Sequence, residues 1–294
     1  EIFKRSADAY RRVRNTIRFL LANLNGFNPE TDMVEFKDMV ELDKWAVSLA
    51  YNTQQELIKC YDDYDFHKVV QILMNFCSIE LGSFYLDIIK DRQYTAKDNS
   101  AARRSCQTAL YKIAEALVRW IAPILSFTAQ EAWEQIPGKR DEFVFTQFWY
   151  DKLEKLDESS VFNSEFWQRM LTFRNEANKA IETARNNGVI GGSLEAVVNI
   201  YTKGQLLEDL RKLENELRFV LITSKAIVSD AEAPADAIKS ETLDCAFTVT
   251  KSQAKKCERC WHYEDDVDSD PEYPGLCSRC VENIKTQGET RHFA

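Results

Sequence analysis

A chain of 294 residues with 45% hydrophobic residues is long enough for two or three domains and a sizeable core. Only 9 Gly and 6 Pro favour long helices over a sandwich or barrel, and no run of 18 apolar residues suggests a membrane span. A net charge of -9 is the wrong sign for a generic nucleic-acid binder, so any phosphate contact must come from local basic patches. The chain starts at Glu1 with neither Met nor a signal-peptide pattern, and reads as part of something longer.

In chain order, "DAYRRVRNTIRFLLANL" (8–24) repeats Tyr10, Val13, Ile17, Leu20 and Leu24 at helical spacing, and Asn25 with Gly26 stops it. Arg11, Arg14 and Arg18 share one face of this helix. That face reads either as a solvated charged surface or as a phosphate-binding stripe. Helical patterns follow at 38–61 and 65–90, with His67 at a helix start in a structural role. "KDRQYTAKDNS" reads as a loop before a helix over 101–122, which Pro123 ends. Thr128 and Glu131 have the spacing of a capping box that would start another helix, closed by Pro137 and Gly138. The expectation is an antiparallel bundle of about five helices over 1–150.

The charged, turn-like stretch "DKLEKLDESSVFNS" marks a boundary. Beyond it the pattern predicts a helix over 165–187, a strand in "SLEAVVNIYT", helix over 204–218, and strands in "FVLITSKAIVSD" and "CAFTVTKS". Together these make a small α+β domain over 151–250. "VIGGSLEA" lacks the G-K-[ST] ending of a phosphate loop and reads as a turn into a strand.

Four of the eight cysteines (Cys60, Cys77, Cys106, Cys245) are scattered. The other four, Cys257, Cys260, Cys277 and Cys280, form C-x2-C-x16-C-x2-C in the last 44 residues. That distribution suggests a reducing compartment with one metal site. Two C-x2-C turns supply four thiolates to one tetrahedral Zn(2+), a set that closes a structural site and leaves no open catalytic position. His262 could replace a cysteine, but the set is complete without it. Four thiolates on zinc leave a local charge of -2, which Lys255, Lys256, Arg259 and Arg279 can offset. A module this small needs such a staple, and its metal binding should be coupled to folding. Trp261 either fills the module's small core or stands exposed as a stacking platform for an unpaired base.

"YRRVRNTIRFLLANLNGF", "YLDIIKDRQYTAKDNSAARRSCQTALYKIAEALVRWIAPILSFTAQEAW", "GGSLEAVV", "ELRFVLITS" and "CERCWHY…CSRC" together resemble, in the same order, the C-terminal part of bacterial isoleucyl-tRNA synthetases. The first stretches resemble the anticodon-binding bundle shared with valyl- and leucyl-tRNA synthetases. The "CERCW" tail is specific to the bacterial-type isoleucine enzymes within that group. The ATP-site signatures HIGH and KMSKS are absent. The resemblance therefore implies a mainly α chain: a bundle, a small α+β domain, and a zinc-ribbon-like module over 251–294. Its partners would be the anticodon stem-loop of tRNA(Ile) and the catalytic and editing domains of the same full-length chain, with no membrane. ATP and Mg(2+) would serve only the full-length ligase, which would be cytoplasmic, and this stretch alone would be inactive. By position, Arg259 and Trp261 match knuckle residues expected to touch the anticodon. Arg11, Arg14, Arg18, Arg103 and Arg104 are the candidates for phosphate contacts. Two rival readings remain: a zinc-finger DNA-repair glycosylase, because formamidopyrimidine-DNA glycosylases end in a similar finger, and a zinc-stapled protein-interaction module.

Overall fold

The computed structural model describes residues 2–294, apart from the side chains of Ile2 and Arg5. It divides into two compact units, one of residues up to 93 with 101–157, the other of residues 94–100 with 158–294. The region expected as an α+β domain and the cysteine tail fall within the second unit.

The first unit is helical. α1 (Ile2–Ala22) and α2 (Glu41–Asp62) bury their apolar stripes, with Leu20, Leu42 and Leu57 fully buried. α3 (Phe66–Asn75) runs on through a π-helical stretch, Phe76–Tyr85, and the short helices α4 (Leu86–Ile88) and α5 (Lys90–Thr95). Gly82 makes the wide π turn possible, because a Cβ there would come within 2.6 Å of the Cys77 carbonyl oxygen. The helical run Phe66–Thr95 has 30 residues and contains an 18-residue window of mean hydropathy 1.4, enough by length and composition to cross a membrane. Half of that apolar window is buried in the protein, as a bundle's core helix requires. The expected loop beginning at Lys90 is therefore helical as far as Thr95.

α6 (Ala101–Ile121) is the central helix, with Ala109, Ile113, Leu117 and Trp120 buried. At its start lies a buried polar network. Arg92 clasps Asp43 with two contacts of 2.7 Å, and Tyr85 and Ser105 donate to the same carboxylate at 2.8 and 2.6 Å. A buried charge pair stays tolerable only with every lone pair occupied in this way. α7 (Ser126–Trp133) begins two residues before Thr128 and has no side-chain cap, so the capping box does not form. Its two members are used elsewhere: Thr128 meets the Tyr10 hydroxyl at 3.2 Å, and Glu131 takes a bidentate pair from Arg14.

In the second unit, α8 (Ser164–Asn186) is capped by Asn163, whose side chain accepts from the Phe166 amide at 2.9 Å. It ends, as read from sequence, at Asn187 and Gly188. Among the described residues, four strands form one sheet in the order β2-β1-β4-β3: β1 (Ala196–Thr202), β2 (Lys225–Ser229), β3 (Ile238–Lys239) and β4 (Cys245–Lys251). β1 pairs parallel to β2 and antiparallel to β4, with Ile200 opposite Phe247. α8 covers this sheet through rings such as Phe173, 5.9 Å from Phe247. The helix expected over 204–218 is broken: α9 (Gly204–Lys212) stops, Glu214 takes φ +47, and α10 (Leu217–Leu221) follows. The strand expected from Phe219 begins only at Lys225. The apolar run 219–221 is a buried helical turn, which periodicity cannot tell from a strand over so few residues.

Candidate metal centre and nucleic-acid interface

The cysteine tail opens with a two-stranded hairpin, β5 (Lys255–Lys256) with β6 (Tyr263–Glu264). Cys257 and Cys260 sit on the turn between them, tightened by Cys257 N–H to the His262 carbonyl at 2.8 Å and Trp261 N–H to the Cys257 carbonyl at 3.0 Å. Cys277 caps α11 (Ser278–Lys285), and Cys280 lies in its first turn. The helix N-terminus thus faces the sulfurs and favours their negative charge. Between the two turns, Gly275 takes φ +81, and a Cβ there would come within 2.8 Å of Glu258.

All four sulfurs are buried and lie within 4.8 Å of one another. The Cys257–Cys280 and Cys260–Cys277 separations are both 3.7 Å. A Zn–S bond of about 2.3 Å with tetrahedral angles requires sulfurs about 3.8 Å apart, so the donor set fits one zinc. The thiols share protons unequally. Hydrogen bonds from Cys277 and Cys280, with help from the Arg279 charge, draw Cys260 towards thiolate, while the coupling pushes Cys277 and Cys280 the other way. A divalent cation removes that conflict by displacing the protons. His262 stands outside the ligand set, buried with its ring 5.6 Å from Phe219.

Trp261 does not fill the module's core, where Val267 and Leu276 pack on the cysteines instead. It is 60% exposed, adopts a left-handed backbone at φ +66, and has the Lys256 ammonium 5.4 Å from its ring. A bulky residue in that conformation is unfavourable by roughly 1–2 kcal/mol and persists only where its surroundings impose it. Arg259 is half-buried, and its guanidinium donates to the Thr95 carbonyl. Of the residues expected to balance the zinc charge, Lys255 pairs with Asp268 at 2.9 Å and Arg279 with Glu289 at 3.2 Å.

The candidate phosphate-binding arginines are in different states. Arg11 is exposed beside Asp8 at 3.0 Å, and Arg18 is exposed with no ion pair among the described residues. Arg14 is held by Glu131. Arg104 donates to the Gly26 carbonyl and Gln107 and pairs with Asp32 at 3.2 Å, while Arg103 is half-buried. Arg12, exposed beside the stripe, was not singled out from sequence, and its only signal was adjacency to Arg11. Lys256, expected only to offset the zinc charge, lies over the Trp261 ring.

Residues 43–200 match the family model described as the anticodon-binding domain of tRNA ligases, and 254–283 match the zinc finger found in FPG and IleRS. The whole chain aligns with isoleucine–tRNA ligases of Shewanella piezotolerans at 60% identity, Pseudoalteromonas atlantica at 59% and Aeromonas hydrophila at 58%. In each case it covers 100% of this chain and 31% of the relative's length. The finger model alone would fit the glycosylase reading as well. The match over 43–200 and the end-to-end alignments favour the ligase reading instead.

Proposed function

This chain belongs to the family of anticodon-binding domains of tRNA ligases, and on that premise we propose that it is the RNA-reading region of an isoleucine–tRNA ligase acting in the cytoplasm. The whole ligase would join isoleucine to tRNA(Ile) with ATP and Mg(2+), chemistry assigned to catalytic and editing domains outside the residues described. We divide the labour among three stretches: 1–150 holds the anticodon stem, 151–250 joins, and 251–294 reads the loop.

One observation carries this reading. Trp261 is an exposed ring in an unfavourable backbone state, on a turn fixed by the four-cysteine centre. Anticodon bases are unpaired, so a fixed aromatic face can stack on one of them while neighbouring donors such as Arg259 meet its edge. When bound, zinc cross-links the two cysteine turns. The protein's own groups do the recognition.

Arg11 and Arg18, exposed on α1, are assigned to phosphates. Arg14 and Arg104 would reach phosphate only by leaving Glu131 and Asp32, and Arg103 only by emerging from its half-buried site. Phosphate contacts fix register and carry no sequence information; base contacts specify.

The test is nuclease footprinting of tRNA(Ile) with this protein across a salt series. Protection confined to the anticodon arm, weakening steeply with salt, is the expected result. Protection of the acceptor arm alone, or none, would refute the assignment.

A further inference from the structure

We propose that residues 289–294 form a strap, fastened by Glu216, that positions α11 and with it the knuckle bearing Arg259 and Trp261. The fastening is specific. Three successive backbone amides, of His292, Phe293 and Ala294, donate to the one carboxylate of Glu216 at 2.8, 2.9 and 2.8 Å. Charge-assisted bonds of this kind are the stronger class.

From there the strap reaches the zinc module by two routes. In the first, Glu289 accepts from Arg279 at 3.2 Å and from Asn283 at 3.1 Å, both on α11, and its own amide donates to Asn283 at 3.2 Å. Arg279 lies in sequence between Cys277 and Cys280, so Glu289 holds a side chain of the turn that carries both cysteines. In the second, Arg291 donates to Glu289 at 2.9 Å and to the Ala294 carbonyl at 3.1 Å, and its guanidinium lies 3.3 Å from the centre of the Phe219 ring. Phe219 in turn meets His262, the neighbour of Trp261, at 5.6 Å. α11 is an eight-residue helix, too short to be stable by itself. Zinc fixes its first turn, and the strap supplies the second anchor.

The effect on RNA rests on the proposed function; the effect on zinc does not. The experiment compares the wild type, Glu216→Ala, Glu216→Gln and Arg291→Ala. It reads zinc transfer to a chromogenic chelator, backbone hydrogen exchange in α11, and the affinity ratio for tRNA(Ile) over the same tRNA with a swapped anticodon. Glu216→Ala should speed zinc transfer roughly tenfold or more, as loss of charged hydrogen bonds implies, raise exchange in α11, and lower the affinity ratio. Glu216→Gln retains one acceptor oxygen and should recover part of each effect. Unchanged zinc transfer and exchange in all three variants would overturn the strap. Faster zinc transfer with an unchanged affinity ratio would overturn its role in positioning the knuckle. A wild type with no anticodon preference would refute the RNA reading and, with zinc transfer still accelerated, leave the strap's hold on α11 standing.

Discussion

Replacing Trp261 by Gly and by Ala separates base stacking from packing, because the two variants remove the same ring but treat the backbone differently. At φ +66, Ala keeps most of the left-handed strain of roughly 1–2 kcal/mol, whereas Gly relieves it. The added freedom of Gly in the unfolded chain returns roughly 0.5–1 kcal/mol of that gain. The zinc module of Trp261→Gly should therefore be as stable as that of Trp261→Ala or up to about 1.5 kcal/mol more stable. Both variants lose the packing of a ring that is already 60% exposed, worth at most about 2 kcal/mol. If the ring stacks on a base, both should also lose about 1–3 kcal/mol of cognate RNA binding. That is about 5- to 150-fold in affinity. The assay titrates isoleucine tRNA and an anticodon-swapped counterpart against all three proteins, with chelator-driven zinc release as the measure of module stability. Equal losses of cognate binding in Gly and Ala, despite different zinc release, support stacking. Losses that track zinc release, or fall equally on both RNAs, would refute the reasoning and leave Trp261 a packing residue.

Asp43→Ala should destabilise the helical unit by about 3–5 kcal/mol in urea unfolding, because it strands the fully buried Arg92 guanidinium; a loss below 1 kcal/mol would mean the pair is dispensable. Arg18→Ala should lower the salt dependence of tRNA binding by about one counterion, whereas Arg104→Ala should cost about 1–3 kcal/mol of stability through its broken hydrogen bonds. The reverse pattern would exchange their assigned roles. Hydrogen bonds from Lys179 and Ser240 hold the Glu176 carboxyl down to about 2. With an unfolded value of about 4.3, its stabilisation is fully present above that pH and lost as pH falls towards 2. Glu176→Gln should therefore be less stable than wild type at neutral pH and should flatten the acid limb of the stability curve; an unchanged limb would contradict the assignment.

Much of the site was legible because the chemistry fixes the spacing. Two C-x2-C turns 16 residues apart can hold one tetrahedral ion whatever surrounds them, and the sulfurs do converge. The helices of the bundle and the end of α8 at Asn187 and Gly188 were legible from periodicity and stop signals. Tertiary pairing was not. Glu131 looked like half of a local cap, yet an arginine 117 residues away claims it. Asp43 and Arg92 lie 49 residues apart with nothing local to join them. The apolar run 219–221 carried no period long enough to choose between helix and strand. Trp261 left two readings open because its exposure follows from a left-handed backbone that the turn geometry imposes, and no residue pattern announces that.

The most direct test of the central claim is binding of this protein to tRNA(Ile) and to the same tRNA carrying another amino acid's anticodon loop, at one fixed salt concentration. Each base contact is worth on the order of 1–3 kcal/mol, so reading even one unpaired base predicts at least a fivefold preference for the isoleucine anticodon. The preference should collapse when a chelator removes zinc. Equal affinity for the two RNAs, with zinc bound and the protein folded, would contradict anticodon reading.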